Sequence, residues 1–217
     1  MWPEIPDGAL LVVPLGSTEQ HGHHLPLGTD TSVAWAVADA AAGAIDGSLL
    51  APALAYGASG EHEDFPGTVS LGTEALTGLL VEYGRSAGRW AGRVLLVNGH
   101  GGNLDALRAA GTVLRAEGRD VAWFPCGVPG GDAHAGRTET SIMLSLDPSA
   151  VQTDRLEPGF VGPVADVVER AVAAASPNGI LGDPTNASAD EGDAVLGSLT
   201  DDLVTAVTRW HASWTAS

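Results

Sequence analysis

Lysine is absent from this sequence of 217 residues, and cysteine occurs once, at Cys126. All ten basic residues are therefore arginine, against 27 acidic residues, and the formal net charge is −17. Such an excess of negative charge argues against nucleic acid or an anionic membrane surface as a partner. A single cysteine excludes an intrachain disulfide, which agrees with a reducing compartment.

Long apolar runs are also missing. No segment has the roughly 20 consecutive apolar residues that a membrane-spanning helix requires, and Met1–Glu4 lacks the basic region of a signal peptide. We therefore expect a cytoplasmic protein in which Cys126 is a structural residue. The length suits one domain with a sizeable core, so a single domain is predicted over residues 1–217.

Short apolar runs alternate with longer segments of helical periodicity. These patterns predict strands at 10–15, 49–54, 94–97 and 121–124, helices at 31–42, 73–90, 104–117, 139–146, 161–175 and 188–214, and Gly-rich loops at 57–72 and 127–136. Asp30 or Thr31 is placed to cap the first helix, and Ser188 is placed to cap the last. The alternation predicts an α/β fold with a mostly parallel sheet that helices cover on both faces.

A loop rich in carboxylates and imidazoles follows the first predicted strand. It contains Glu19, His21, His23, His24 and Asp30. These side chains are ligands for a borderline divalent metal such as zinc, iron(II) or manganese. The alternative interpretation is a histidine-rich surface loop without a ligand. Five candidate ligands in one short loop favour the metal site.

Two further polar clusters follow predicted strands, at Asn98–Asn103 and His134–Ser141. Because the carboxyl ends of parallel strands lie together, we expect all three clusters to meet in one crevice. His100 is flanked by glycines, which let the backbone turn sharply and approach a ligand, so we interpret it as a metal ligand. Asn98 and Asn103 are interpreted as turn and cap residues.

Two residues of the third cluster have more than one interpretation. Glu139 is expected in the first turn of its helix, where a carboxylate stabilises the positive helix end. It is also a candidate metal ligand or general base, and these roles are compatible. His134 is either an exposed loop histidine or a group that moves protons, since an imidazole titrates near neutral pH.

Five segments, in order along the chain, resemble motifs of the creatininase family of metal-dependent amidohydrolases. They start at residues 14, 61, 98, 134 and 179 and read Pro-Leu-Gly-Ser-Thr-Glu-Gln-His-Gly-x-His-Leu-Pro-Leu-Gly-Thr-Asp, Glu-His-x-x-Phe-Pro-Gly-Thr, Asn-Gly-His-Gly-Gly-Asn, His-Ala-Gly-x-x-Glu-Thr-Ser and Gly-x-x-Gly-Asp-Pro. The resemblance spans about residues 9–200. It implies a three-layer α/β/α sandwich, a centre of two divalent metal ions and hydrolysis of an amide-type C–N bond.

The resemblance also implies a ligand set for the two ions, in which Asp30 bridges them. The implied ligands are Glu19, His21, Asp30 and His100. Relatives that act on creatinine carry Tyr and Glu after the histidine of the second motif, where this sequence has Gly101 and Gly102. One ligand is therefore missing from its expected place, and Glu139 is the candidate replacement. We expect open space at the two glycines.

His23 is a second departure, because relatives usually carry proline at this position. An additional histidine here is either an extra ligand or a substitution without effect on the site. We interpret it as without effect.

The resemblance predicts an enzyme. Two cations that share a water lower its pKa, so that metal-bound hydroxide attacks the amide carbonyl and His134 delivers a proton to the leaving nitrogen. The two glycines after the histidine of the second motif, together with the short chain, resemble the family's mycofactocin-system peptidases. These peptidases release a C-terminal dipeptide from a modified precursor peptide. The alternatives are a formamide hydrolase, a creatinine amidohydrolase and a non-catalytic metal-binding scaffold. The family also suggests a homo-oligomer.

Overall fold

The computed structural model describes residues 1–162 and 171–214. Four parallel strands form one sheet in the order β2-β1-β3-β4, with β1 at Leu10–Leu15, β2 at Ser48–Leu50, β3 at Arg93–Asn98 and β4 at Val121–Pro125. The helices are α1 (Thr29–Ala44), α2 (Gly72–Ala87), α3 (Leu104–Ala116), α4 (Arg137–Leu146), α5 (Val172–Ala175) and α6 (Ala189–Trp214). The α/β fold with a parallel sheet is confirmed.

Alternation along the central strands gives the sheet two apolar faces. Leu11 and Val13 of β1 pack with residues of α2 and α3, including Leu80 and Leu114. Leu10, Val12 and their neighbours on the opposite face pack with residues of α1, α4 and α6: Val33, Val37, Ile142, Leu199 and Leu203. Helices therefore cover both faces of the sheet, as the predicted three-layer sandwich requires.

Pro14 lies inside the central strand β1, although proline has no N–H for a sheet ladder. Pairing explains why it is tolerated. β2 pairs with β1 only from Leu10 to Val12, and the Pro14 carbonyl accepts a hydrogen bond from the amide of Leu54 at 2.9 Å. The N–H and C=O groups of one strand residue point to the same side of the strand. The N–H group that Pro14 lacks would therefore point to the β2 side, beyond the last β2 residue that pairs with β1.

Several boundaries differ from the predictions. The strand predicted at 49–54 is shorter, because β2 ends at Leu50 and only an isolated bridge joins Leu54 to Leu15. Neither Asp30 nor Thr31 caps α1, whose N-cap is Gly28; the Asp30 carboxylate turns into the protein instead. The helix predicted at 73–90 ends at Ala87.

Two predictions concern the C-terminal helices. Of the helix expected at 161–175, the described part is helical only at Val172–Ala175, and residues 163–170 lie outside the described residues. The cap of α6 is confirmed, because Ser188 Oγ accepts the Glu191 amide at 3.3 Å. Among the described residues, no helix is both long and apolar enough to cross a membrane.

We predict that Leu80→Ala lowers the free energy of unfolding by about 2–5 kcal/mol, the usual cost of a cavity at a buried leucine. Leu80 is 1% exposed on the inner face of α2, whereas its neighbour Leu79 is 38% exposed. Leu79→Ala is the matched control and should cost clearly less. Urea unfolding followed by circular dichroism measures both, and equal losses would contradict the assignment of the core.

Candidate metal centre

The three polar clusters meet at the carboxyl edge of the sheet, as predicted from the parallel topology. The start of α1, the loop after β3 and the start of α4 line one cavity of about 510 Å³. Polar side chains on its wall include Asp30, His62, His100, His134 and Glu139. The rest of the wall is mainly apolar and includes Val33, Leu104, Cys126, Ile142, Val172 and Leu181.

Close backbone contacts hold these loops together. A Cβ atom at Gly99 would collide with the carbonyl of Asp30, so glycine is needed where the β3 loop crosses the start of α1. Asn103 accepts from the amide of Ala58 at 2.8 Å and donates to Gly16 O at 3.1 Å. Asn98 donates to His100 O at 2.7 Å. These bonds agree with the prediction that both asparagines are structural.

Glu19, His21 and Asp30 form the innermost group. They are 0%, 0% and 2% exposed, and one ligand atom from each lies within 4.8 Å of the others. His21 Nε2 is 3.0 Å from Asp30 Oδ1. Ser17, which the sequence interpretation did not single out, lies 2.6 Å from Glu19 Oε2 and 2.8 Å from Asp30 Oδ2 through its hydroxyl.

His100 lies beside this group. Its Nδ1 is 3.3 Å from Glu19 Oε2 and 3.3 Å from Asp30 Oδ2, and the residue is 6% exposed. The structure therefore brings together Glu19, His21, Asp30 and His100, the four residues that the sequence predicts as ligands.

His134 and Glu139 also lie beside His21. His134 is buried, which excludes the exposed loop histidine, and its ring centroid is 4.2 Å from that of His21. Glu139 occupies the first turn of α4, as predicted, and its Oε2 lies 3.8 Å from His21 Nε2. The same oxygen accepts the amide of Ala135 at 2.6 Å, so the carboxylate also satisfies a backbone donor near the helix start.

His62 is a site residue that sequence reasoning missed. Its Nε2 lies 3.3 Å from Glu19 Oε1, and its ring centroid is 4.3 Å from that of His134. The only signal in the sequence was its place directly after Glu61, in the motif that lies within the Gly-rich loop at 57–72, here called the central loop. Gln20 Nε2 lies 2.9 Å from His62 Nδ1 and donates to Gly179 O at 2.9 Å, so the first motif, the central loop and the C-terminal motif meet here.

Three of these histidines share one arrangement of the imidazole ring. One ring nitrogen faces a backbone carbonyl: His21 Nδ1 lies 3.2 Å from Glu19 O, His100 Nε2 lies 3.2 Å from Ala58 O and His134 Nε2 lies 2.8 Å from Gln20 O. A carbonyl only accepts, so that nitrogen carries hydrogen. The other nitrogen of each ring faces carboxylates. Metal-binding histidines are typically oriented in this way.

The pKa values of the buried site residues are shifted by burial and by neighbouring charges. Burial and the Asp30 charge raise the pKa of Glu19 to about 7. Burial alone would lower the pKa of His21, but Asp30 raises it to about 10. Burial lowers the pKa of His134 well below its usual range, and the charge of His21 lowers it further. Burial likewise raises the pKa of Glu139.

These residues fit divalent cations. Among the described residues, three overlapping sets have ligand atoms within 4.8 Å of one another: Glu19/His21/Asp30, His21/His134/Glu139 and Glu19/His62/His134. Glu19 Oε1 is buried and has no hydrogen-bond partner. A buried carboxylate oxygen without a donor is unfavourable, and a cation beside it would remove that cost. Carboxylates and imidazoles are suitable ligands for zinc, iron(II) and manganese.

Three other predicted features lie apart from this group or differ from expectation. His23 is exposed and pairs with Glu157 at 3.0 Å, which agrees with its interpretation as a residue without effect on the site. His24 is buried, with Nε2 2.9 Å from Thr140 Oγ1. The expected open space is found at Gly101 but not at Gly102, where a Cβ atom would collide with Ala58 O.

The family model described as creatininase, creatinine amidohydrolase, matches residues 1–207. The chain belongs to the creatininase family. Members of this family hydrolyse C–N bonds, and this chain is a hydrolase of that class. The resemblance inferred from the five motifs is thereby confirmed.

The relatives of this chain include peptidases and a creatinine amidohydrolase. A mycofactocin precursor peptide peptidase from Mycobacterium ulcerans is 53% identical and covers 96% of this chain and 86% of its own length. A creatinine amidohydrolase from Pseudomonas putida is 33% identical over 86% of this chain and 84% of its own length. A creatininase structure described as a Zn-Zn type superposes with a TM-score of 0.79 at 30% identity, covering 93% of this chain and 90% of that one.

A second creatininase structure, described as a manganese form, has the same TM-score of 0.79 and 30% identity, and covers 93% of this chain and 91% of that one. Together with the clustered ligand atoms, these structures support a divalent metal at the site of this chain.

We predict that the protein binds two ions per chain and that Glu139→Gln reduces the content to about one, because an amide is a weaker ligand than a carboxylate at a two-metal site. Elemental analysis of the purified protein measures the content. Glu63→Gln, at an exposed position of the central loop, is the control and should keep full occupancy. Unchanged metal content in Glu139→Gln would show that Glu139 is not a ligand and only accepts the Ala135 amide near the start of α4.

Proposed function

We propose that this protein is a metal-dependent peptidase that releases a C-terminal dipeptide from the mycofactocin precursor peptide. The observation that carries the proposal is the 53% identity, over 96% of this chain, to a relative named for that activity. The buried cluster of carboxylates and imidazoles beside a cavity of about 510 Å³ supports it. Hydrolysis of a peptide bond is also the C–N chemistry of the creatininase family.

The proposed centre would hold two cations, and Asp30 would contribute to the binding of both. The proposed ligands are Glu19, His21, Asp30, His100 and Glu139. When bound, divalent cations polarise a carbonyl oxygen and lower the pKa of a nearby water. Burial of Glu19 and Asp30 excludes water from these carboxylates, so their attraction for a cation is screened less than it would be at the surface.

His134 is proposed to move the proton that the leaving nitrogen needs. Its Nε2–H donates to Gln20 O at 2.8 Å, which leaves the lone pair on Nδ1 to accept a proton. The low pKa of His134 keeps the ring neutral at physiological pH, so Nδ1 carries no proton before the reaction. Glu139, 3.8 Å from His21 Nε2, is a second candidate for proton transfer.

The cavity favours a peptide over a small cyclic amide. Gly101 has no atom within 4 Å of a Cβ position, so the wall is open there. Apolar side chains such as Leu104, Val172 and Leu181 give a peptide contacts remote from the scissile bond. Such contacts can hold the scissile carbonyl in place, which a small substrate achieves less well. A formamide hydrolase is the second candidate, because the same centre suits any accessible amide.

The proposal includes three further features that follow from the sequence and family. These are the identity of the metal as zinc, iron(II) or manganese, a homo-oligomeric state and a cytoplasmic location. A scaffold that binds metal without activity is the non-enzymatic alternative, and an activity assay on the metal-loaded protein distinguishes it.

The substrate is tested with the metal-loaded protein and three compounds: creatinine, a formamide, and a mycofactocin-type precursor peptide ending in Val-Tyr. We expect release of the dipeptide, detected by mass spectrometry, and little turnover of creatinine. The Asp30→Ala variant is the control for contaminating peptidases. Efficient creatinine turnover without peptide cleavage would refute the proposal, and activity on the formamide alone would favour the second candidate.

The role of His134 is tested by His134→Asn. We expect unchanged metal content and a rate about 100-fold lower or more, the usual contribution of a general acid or base. His23→Asn, at the exposed histidine, is the matched control and should retain the wild-type rate. Loss of metal in His134→Asn would instead make His134 a ligand, as its position in two of the three candidate sets allows.

A further inference from the structure

Glu61 lies beside the outer nitrogen of His100. Its Oε1 is 3.4 Å from His100 Nε2, and its side chain is 40% exposed whereas that of His100 is 6% exposed. The inner nitrogen, Nδ1, faces Glu19 and Asp30 at 3.3 Å each. Glu61 and the buried carboxylates are therefore on opposite sides of the same imidazole ring.

A glycine at position 102 makes room for this arrangement. A Cβ atom at Gly102 would lie 2.7 Å from Glu61 Oε1 and 2.5 Å from His100 Nε2, and it would collide with Ala58 O. Any side chain at this position would displace the central loop or the His100 ring. The carboxylate that faces Nε2 of His100 therefore comes from the central loop, and the second motif leaves the space for it.

Both nitrogens of His100 face hydrogen-bond acceptors, so a cation at the proposed metal centre decides which nitrogen keeps the hydrogen. Nε2 lies 3.2 Å from Ala58 O and 3.4 Å from Glu61 Oε1. A carbonyl and a carboxylate only accept hydrogen bonds, and Nδ1 also faces carboxylates, so the hydrogen of the neutral ring lies on Nε2 when a cation held beside Glu19 and Asp30 occupies the Nδ1 side. The lone pair is then on Nδ1 and points to the buried carboxylates. A carboxylate that accepts the outer N–H also makes the inner nitrogen a stronger ligand.

We infer that Glu61 is a positioning residue, which acts through His100 by holding its ring with Nε2–H outward and Nδ1 toward the metal centre. This inference rests on the proposed metal centre and not on the proposed peptide substrate. It assigns a role to the first residue of the central-loop motif. Glu139 keeps its separate place beside His21.

The test compares Glu61→Ala and Glu61→Gln with Glu63→Ala, a control at an exposed position of the same loop. Metal affinity is measured by competition with a chelator. We expect about 10- to 100-fold weaker binding at the His100 side for Glu61→Ala, the usual effect of removing such a partner. Glu61→Gln should lose less, because its amide oxygen still accepts the Nε2–H. Glu63→Ala should bind as the wild type does.

Nitrogen-15 NMR of the histidine rings supplies a second measurement that a general loss of stability would not change. In the wild type with zinc bound, His100 should give the signal of a ring protonated at Nε2, and this signal should broaden or shift in Glu61→Ala. Wild-type metal affinity and an unchanged His100 signal in Glu61→Ala would overturn the inference. So would loss of one whole ion in both variants at saturating metal, since Glu61 would then be a ligand itself.

These results are independent of the substrate assay. If the peptide is not cleaved but zinc binding depends on Glu61 as described, the proposed function fails and the inference stands. If the peptide is cleaved and Glu61→Ala binds zinc normally, the inference fails and the proposed function stands.

Discussion

The burial of two neighbouring carboxylates, Glu19 and Asp30, is the constraint on which the rest of the site depends. A buried charge is costly unless hydrogen bonds or opposite charges compensate it. Ser17, His21 and His100 supply that compensation from three directions. The fold must therefore bring segments far apart in sequence within hydrogen-bond distance of one small volume.

The parallel sheet provides this convergence. β1 and β3 are paired along their whole length, from Leu10 opposite Arg93 to Leu15 opposite Asn98, so the loops that follow them start side by side. Glycine then allows the loops to touch, since any side chain at Gly99 would collide with the backbone of α1. The ligand atoms are positioned by rigid strand ends and by backbone contacts. Rigid support of this kind is what a metal site requires.

The second level of organisation lies around the imidazole rings. Each of His21, His100 and His134 has one nitrogen directed at a backbone carbonyl, and these carbonyls fix the direction of the other nitrogen. In the proposed enzyme, this fixed orientation separates the ligands from the group that moves protons. The central loop contacts two of the proposed ligands. Ala58 and Glu61 lie beside His100, and His62 lies beside Glu19.

The sequence alone determined much of the fold. Apolar runs predicted the four strands of the described residues, and helical periodicity predicted the helices between them. The side chains of β1 and β3 are apolar on both faces of the sheet because helices bury both faces. The end of β2 was predicted wrongly, because where this strand stops depends on its pairing with β1 and not on its own residues. The first motif also identified Glu19, His21 and Asp30 as neighbours, since they are close in sequence and suit a cation.

Only the tertiary structure brought His62 to Glu19 and Glu61 to His100, pairs that are 43 and 39 residues apart by their numbering. A contact over such a distance depends on how a loop folds back over the sheet, and local periodicity carries no information about it. The same holds for Gly102, where absence of a side chain suggested open space. Its neighbours Ala58 and Glu61 fill that space, and no property of a glycine in the sequence reveals what packs against it.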